Sequence, residues 1–124
     1  MTTALLLIAH GSRNPAANAD LDHVAAELRR RGSYAIVETA FLELAEPTIA
    51  QGGQRCATAG AGCVILLPYF LSAGVHVRDD LTRHRDELAA QFPSVQFVLA
   101  EPLGRHPLLV EVVKQRAGEA LDNR

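Results

Sequence analysis

A chain of 124 residues that is 48% hydrophobic and 21% charged is long enough to bury a core without staples and reads as one domain, residues 1–124. A net charge of −2, few aromatics and no Trp leave neither a basic footprint nor a base-stacking surface, so nucleic acid is not an expected partner. No apolar run approaches a membrane span and no basic segment precedes the first one, so a cytoplasmic protein without membrane partners is expected.

The first element is an aliphatic strand at Ala4–Ala9, whose lack of alternation marks burial on both faces. It stops at His10-Gly11-Ser12-Arg13. Asn14-Pro15 then opens a helix from Ala16 to Arg31, with Leu21, Val24, Ala25 and Leu28 at helical spacing and Gly32 as its stop. The second strand covers Tyr34–Leu42, with β-branched and aromatic content, and ends at Glu43. Glu46-Pro47 opens the next helix, to about Ala59, although Gly52 and Gly53 weaken it.

Cys63–Leu67 is a second unbroken aliphatic run, hence a central strand, closed by Pro68. The two cysteines form no CxxC pair; Cys56 falls in a helix and Cys63 in the core. The loop Tyr69–Val77 is unusually apolar for a strand-to-helix connection, which marks a pocket wall or lid. A third helix runs from Arg78 to Gln91, a fourth strand covers Val95–Leu99, and Pro107 starts a last helix to about Leu121. Within these helices His23 reads as surface and His84 as packed. Alternating strands and helices with short connections imply an α/β fold: a four-stranded parallel sheet of order 2-1-3-4 in a three-layer α/β/α arrangement.

In such a sheet all carboxyl ends share one edge. His10 follows strand one, Glu43 follows strand two, and the loop after strand three carries His76, so three adjacent strands meet at the topological switch point. Two imidazoles and a carboxylate suit either a divalent metal or proton transfer near neutral pH. His106 follows strand four on the same edge. A phosphate-loop reading of His10-Gly11-Ser12 is weaker, because neither GxGxxG nor GxxxxGKS spacing is present. Ser12 lacks the GxSxG elbow of a hydrolase.

His10-Gly-Ser-Arg13, Phe41-Leu-Glu43 with Pro47, Pro68-Tyr-Phe-Leu-Ser-Ala-Gly-Val-His76-Val and Leu103-Gly-Arg-His-Pro107 occur in this order along the chain. Together they resemble the sirohydrochlorin chelatases, the CbiX/SirB-type class II tetrapyrrole chelatases, in their short single-domain form. The resemblance implies a chelatase-like, flavodoxin-like fold and insertion of Co²⁺ or Fe²⁺, with Ni²⁺ also open, into sirohydrochlorin. It implies no cofactor beyond that substrate metal and a step towards cobalamin or siroheme. It places His10 and His76 as metal-binding residues and Glu43 as an acidic residue that helps hold the ion or accepts a proton.

A tetrapyrrole is a broad apolar plate rimmed with carboxylates. Leu42, Phe70, Leu71 and Val75 are therefore expected as walls, with Gly74 letting the backbone come close. Arg13, Arg78 and Arg105 are the expected partners of the rim carboxylates. One such domain offers a single wall, so a homodimer with facing strand edges is expected. A non-catalytic metal or tetrapyrrole carrier on the same fold is the alternative, and a small phosphohydrolase using His10 ranks last.

Overall fold

The aliphatic run at the start of the chain becomes β1 (Thr3–Ala9), the strand on which the others are arranged. The computed structural model describes all 124 residues. Its further elements are α1 (Pro15–Arg31), β2 (Ile36–Phe41), α2 (Ile49–Thr58), β3 (Cys63–Pro68), α3 (Val75–Gln91), β4 (Gln96–Leu99) and α4 (Pro107–Asp122). All strand pairs are parallel and the order is β2-β1-β3-β4, as the sequence predicts. β1 pairs with β2 from Ala4↔Ile36 to Ala9↔Phe41, and with β3 from Thr3↔Cys63 to Ile8↔Pro68. Its residues Ala4 to Ile8 are at most 3% exposed, so both faces are covered and alternation has nothing to select for.

The two faces are packed separately. Leu6, Ile8, Ala40, Val64, Leu66 and Phe97 meet α2 and α3 through Ile49, Cys56, Leu81 and Leu88. Leu5, Leu7, Val37 and Phe41 meet α1 through Leu21 and Ala25. Burial pushes the Cys56 thiol up to about 12, with nearby Glu38 adding to the effect, so this cysteine is an inert core residue. Cys63 is likewise buried.

Local chemistry explains the boundaries. Asn14 Oδ1 accepts from the Ala16 N–H, Pro15 occupies the first turn of α1, and Gly32 ends it at φ 71°. The second helix starts at Ile49 rather than at Glu46-Pro47, because Thr48 and Gln51 form a reciprocal capping box. The glycines at 52 and 53 do not break it. A Cβ on Gly52 would come within 2.8 Å of Leu6, and one on Gly53 within 2.6 Å of Leu88. Their cost in helix propensity is thus offset by close approach to the sheet and to α3.

The third helix begins three residues earlier than expected. Gly74 is its N-cap, and the Arg78 N–H donates to the Gly74 carbonyl at 3.0 Å, closing the first turn around His76. His76 therefore stands on a helix rather than in the preceding loop. The last helix departs from the expected layering, for no residue of α4 is buried. No helix is long and apolar enough to cross a membrane.

Candidate active site at the carboxyl edge of the sheet

The parallel ladder does not stop where the strands do. Leu42 N–H donates to the Ala9 carbonyl at 2.9 Å and Glu43 N–H to the His10 carbonyl at 3.0 Å. On the other side Tyr69 N–H donates to the Ile8 carbonyl at 2.6 Å. These bonds fix the backbones carrying His10, Glu43 and Tyr69 side by side on one edge. His76 joins that edge on the first turn of α3.

Gly11, directly after His10, has φ 98°, a left-handed conformation that other residues resist. A Cβ there would overlap the Glu43 carbonyl oxygen and crowd Phe41. Only glycine lets the His10 loop lie this close to the end of β2. Beyond it, the Asn18 side chain both accepts from the Ser12 N–H at 3.0 Å and donates to the Ser12 carbonyl at 2.8 Å. Helix α1 thereby clasps the loop in place.

The His10 imidazole is exposed, and Phe70 lies against one of its faces, with ring centroids 4.2 Å apart at 28°. Phe70 itself is only 9% exposed and belongs to the core, so it backs the histidine instead of forming an open wall. The side chains of His10, Glu43 and His76 are all exposed and make no hydrogen bond or ion pair within the chain. Their lone pairs are unclaimed. No three His, Cys, Asp or Glu side chains are drawn into a preformed cage.

Leu71 and Val75 are 65% and 73% exposed beside these groups, and Leu42 is half-buried against the core. Leu44, at φ 63° and 53% exposed, adds an apolar surface that no sequence signal marks. Gly74 meets nothing within 4 Å where a Cβ would stand, so nothing in the chain itself demands glycine there. The close approaches belong to Gly11 and to Gly104, whose Cβ would overlap the Leu71 carbonyl. Next to His10 lies a cleft of about 250 Å³, lined also by Ser12, Asn18, Asp20 and Tyr69.

The three arginines differ. Arg13 and Arg105 are exposed and unpaired, whereas Arg78 donates from Nε to the Ala73 carbonyl at 3.1 Å and from its guanidinium to Glu101 at 3.3 Å. His106 is committed locally: its Nδ1 accepts from the Leu108 N–H at 3.2 Å and caps α4. His84 sits partly buried on α3, away from the edge, and burial holds its pKa below the usual imidazole value. His23 is exposed on α1, as expected.

The CbiX family model matches residues 4–120. The chain is 36% identical over 124 residues to the sirohydrochlorin cobaltochelatase of Priestia megaterium, covering 97% of this chain and 39% of that one. It is 33% identical to the chloroplastic sirohydrochlorin ferrochelatase of Arabidopsis thaliana, covering 96% of this chain and 53% of the relative. It thus spans about half or less of the length of these two relatives. The sirohydrochlorin chelatase SirB of Bacillus subtilis subspecies spizizenii, solved in complex with cobalt, superposes with a TM-score of 0.87 at 28% identity, over 96% of this chain and 51% of that one. A CbiX protein of Marinobacter aquaeolei superposes with a TM-score of 0.84 at 29% identity, over 98% of this chain and 99% of the other.

Proposed function

Because the chain belongs to the CbiX family, we propose that it inserts a divalent metal ion, Co²⁺ or Fe²⁺, into sirohydrochlorin, with no cofactor beyond that substrate ion. The observation that carries the reading is the edge itself, with His10, Glu43 and His76 exposed and unpaired beside the apolar Leu71 and Val75. Insertion needs an ion held firmly enough to be oriented and loosely enough to be surrendered. Neutral imidazoles suit borderline first-row ions, and the absence of a closed cage suits release.

The macrocycle must lose its pyrrole N–H protons as the metal enters. Glu43, tied to His10 by its backbone and free at its side chain, is the proton acceptor or third ligand in this reading. Leu42, Leu71 and Val75 offer the plate an apolar bed, with Phe70 holding the His10 ring from behind. Arg13 and Arg105 are free to pair with rim carboxylates, and Arg78 would exchange Glu101 for one. The protein acts in the cytoplasm as a homodimer, the second copy facing the exposed side of the plate.

Anaerobic metallation of sirohydrochlorin, followed through the pigment's absorption with Co²⁺, Fe²⁺ and Ni²⁺ in competition, tests this. His10→Ala or His76→Ala is expected to lower the rate by at least ~100-fold, since loss of even an outer partner of a metal ligand costs 10–100-fold. Metallation by the wild type no faster than the uncatalysed reaction overturns the proposal. Stoichiometric binding of metal or pigment without turnover would make the protein a carrier.

A further inference from the structure

Leu44 holds a backbone conformation that leucine resists, and the loop around it shows why. Phe41 N–H donates to the Pro47 carbonyl at 2.8 Å, so the chain returns to the end of β2 almost at once. Inside this loop, Leu42 and Glu43 are still tied to the Ala9 and His10 carbonyls. The chain must therefore reverse directly after Glu43, and Leu44 does so at φ 63°. A left-handed turn suits Gly or Asn and is costly for a bulky side chain.

Nothing within the chain offsets that cost. Leu44 is 53% exposed and packs against neither half of the core, whereas Leu42 and Ala45 on either side each pack against one. A strained residue without internal compensation points to a contact outside the chain. Its position says which. Apart from Met1 and the residues of α4, the large hydrophobics left exposed are Leu44, Leu71, Val75 and Val98. Three of these stand at the carboxyl edge: Leu44 after β2, Leu71 after β3 and Val75 at the start of α3. With the strand order β2-β1-β3, they flank His10 from both sides. Two strand spacings are about 10 Å, a breadth that suits a flat apolar ring and exceeds a lone ion.

We propose that Leu44 is a substrate-contacting residue that bears the β2 side of the macrocycle, opposite Leu71 and Val75 across His10. The inference rests on the tetrapyrrole reading above and adds to it a residue that recognises the ring and not the metal. The turn alone would be met by a glycine or an asparagine. A leucine there trades backbone strain for an apolar surface, and that surface gains its stabilisation only when the ring covers it. Because Leu44 follows Glu43 directly, the ring it supports is presented to that carboxylate.

Leu44→Asn removes the apolar surface and keeps a residue that tolerates the left-handed turn. Binding of metal-free sirohydrochlorin, followed by its absorption, is expected to weaken about tenfold, the worth of covering half a leucine side chain. The KM for sirohydrochlorin should rise by a similar factor while the KM for Co²⁺ stays unchanged. The urea midpoint is expected to hold or rise, because strain is relieved and no internal contact is lost. Leu44→Met, apolar again, is expected to recover most of the lost affinity. A lowered urea midpoint overturns the inference, since it would place the leucine's contacts inside the chain. An equal rise in the KM for Co²⁺ would mark displacement of Glu43 and also overturns it. Weaker self-association in sedimentation, with ring binding unaltered, would assign the leucine to a second copy and overturns it as well. A wild type that neither binds nor metallates sirohydrochlorin overturns the function and this contact together. An active wild type whose Leu44→Asn variant binds the ring equally well overturns the contact alone.

Discussion

Gly11 joins two jobs in one residue. Its left-handed φ of 98° turns the chain away from β1, and its missing side chain lets the Glu43 carbonyl come alongside. Gly11→Ala is therefore expected to destabilise the fold by about 2 kcal/mol or more, the strain of the left-handed conformation plus the overlap. Urea denaturation measures the loss, and metallation should slow even where the variant remains folded, because His10 and Glu43 are displaced from one another. An unchanged midpoint and rate would mean that the loop relaxes without cost. At this scale the sequence is uneven. His10 and Glu43 are legible because strand ends in a parallel sheet share an edge. The stacking of Phe70 on His10 is not, since an aromatic in an apolar loop looks the same whether it lines a cleft or backs a histidine from the core. The clasp by Asn18 is equally hidden, as an Asn early in a helix carries no mark of the loop it holds.

Elements read from periodicity are recovered where their ends carry standard chemistry and shifted where they do not. Helix α1 keeps its expected end because Arg31-Gly32 is a plain stop, whereas α3 starts early because Gly74 caps it with its backbone alone. Helix α2 survives two glycines for a reason visible only in three dimensions. Filling Gly53 with alanine would press on Leu88, so Gly53→Ala is expected to cost 1–3 kcal/mol by overpacking, roughly, despite alanine's better helix propensity. A gain in thermal stability would show that α3 yields freely. Helix α3 carries a histidine whose pKa the fold shifts. His84 is lowered mainly by burial, then by Arg83, with Glu87 and Asp80 opposing. The unfolded chain takes up that proton more readily than the folded one. Its share of stability is therefore complete above the ordinary imidazole value near 6.5 and is lost as pH falls through the lowered folded value. His84→Gln is expected to flatten the pH dependence of the urea midpoint below pH ~6.5, without touching the site edge.

For the whole molecule, the parallel strand order followed from four strand–helix units, but the exposure of α4 did not, because an amphipathic helix announces that it has an apolar side and not whether the chain covers it. The same gap between residues and their assembly bears on the metal. An inserting enzyme and a carrier can share His10, Glu43 and His76; they differ in how tightly the ion is kept. In the proposed reading, exposed and unpaired side chains on separate loops and a helix start favour a loose grip, for each must give up conformational freedom to close on an ion. Stabilisation by mass action grows as RT ln(1 + [L]/Kd), so an ion present at tenfold its dissociation constant adds about 1.4 kcal/mol and raises the melting temperature by roughly 5 °C. Thermal melts with increasing Co²⁺ are thus expected to rise only in the high-micromolar range or above, and to stay flat for His10→Ala. A rise already complete at nanomolar Co²⁺ would instead mark a protein built to keep its metal. The five histidines of the unfolded chain bind some ion too, so the difference between wild type and His10→Ala is the quantity that reports on the site.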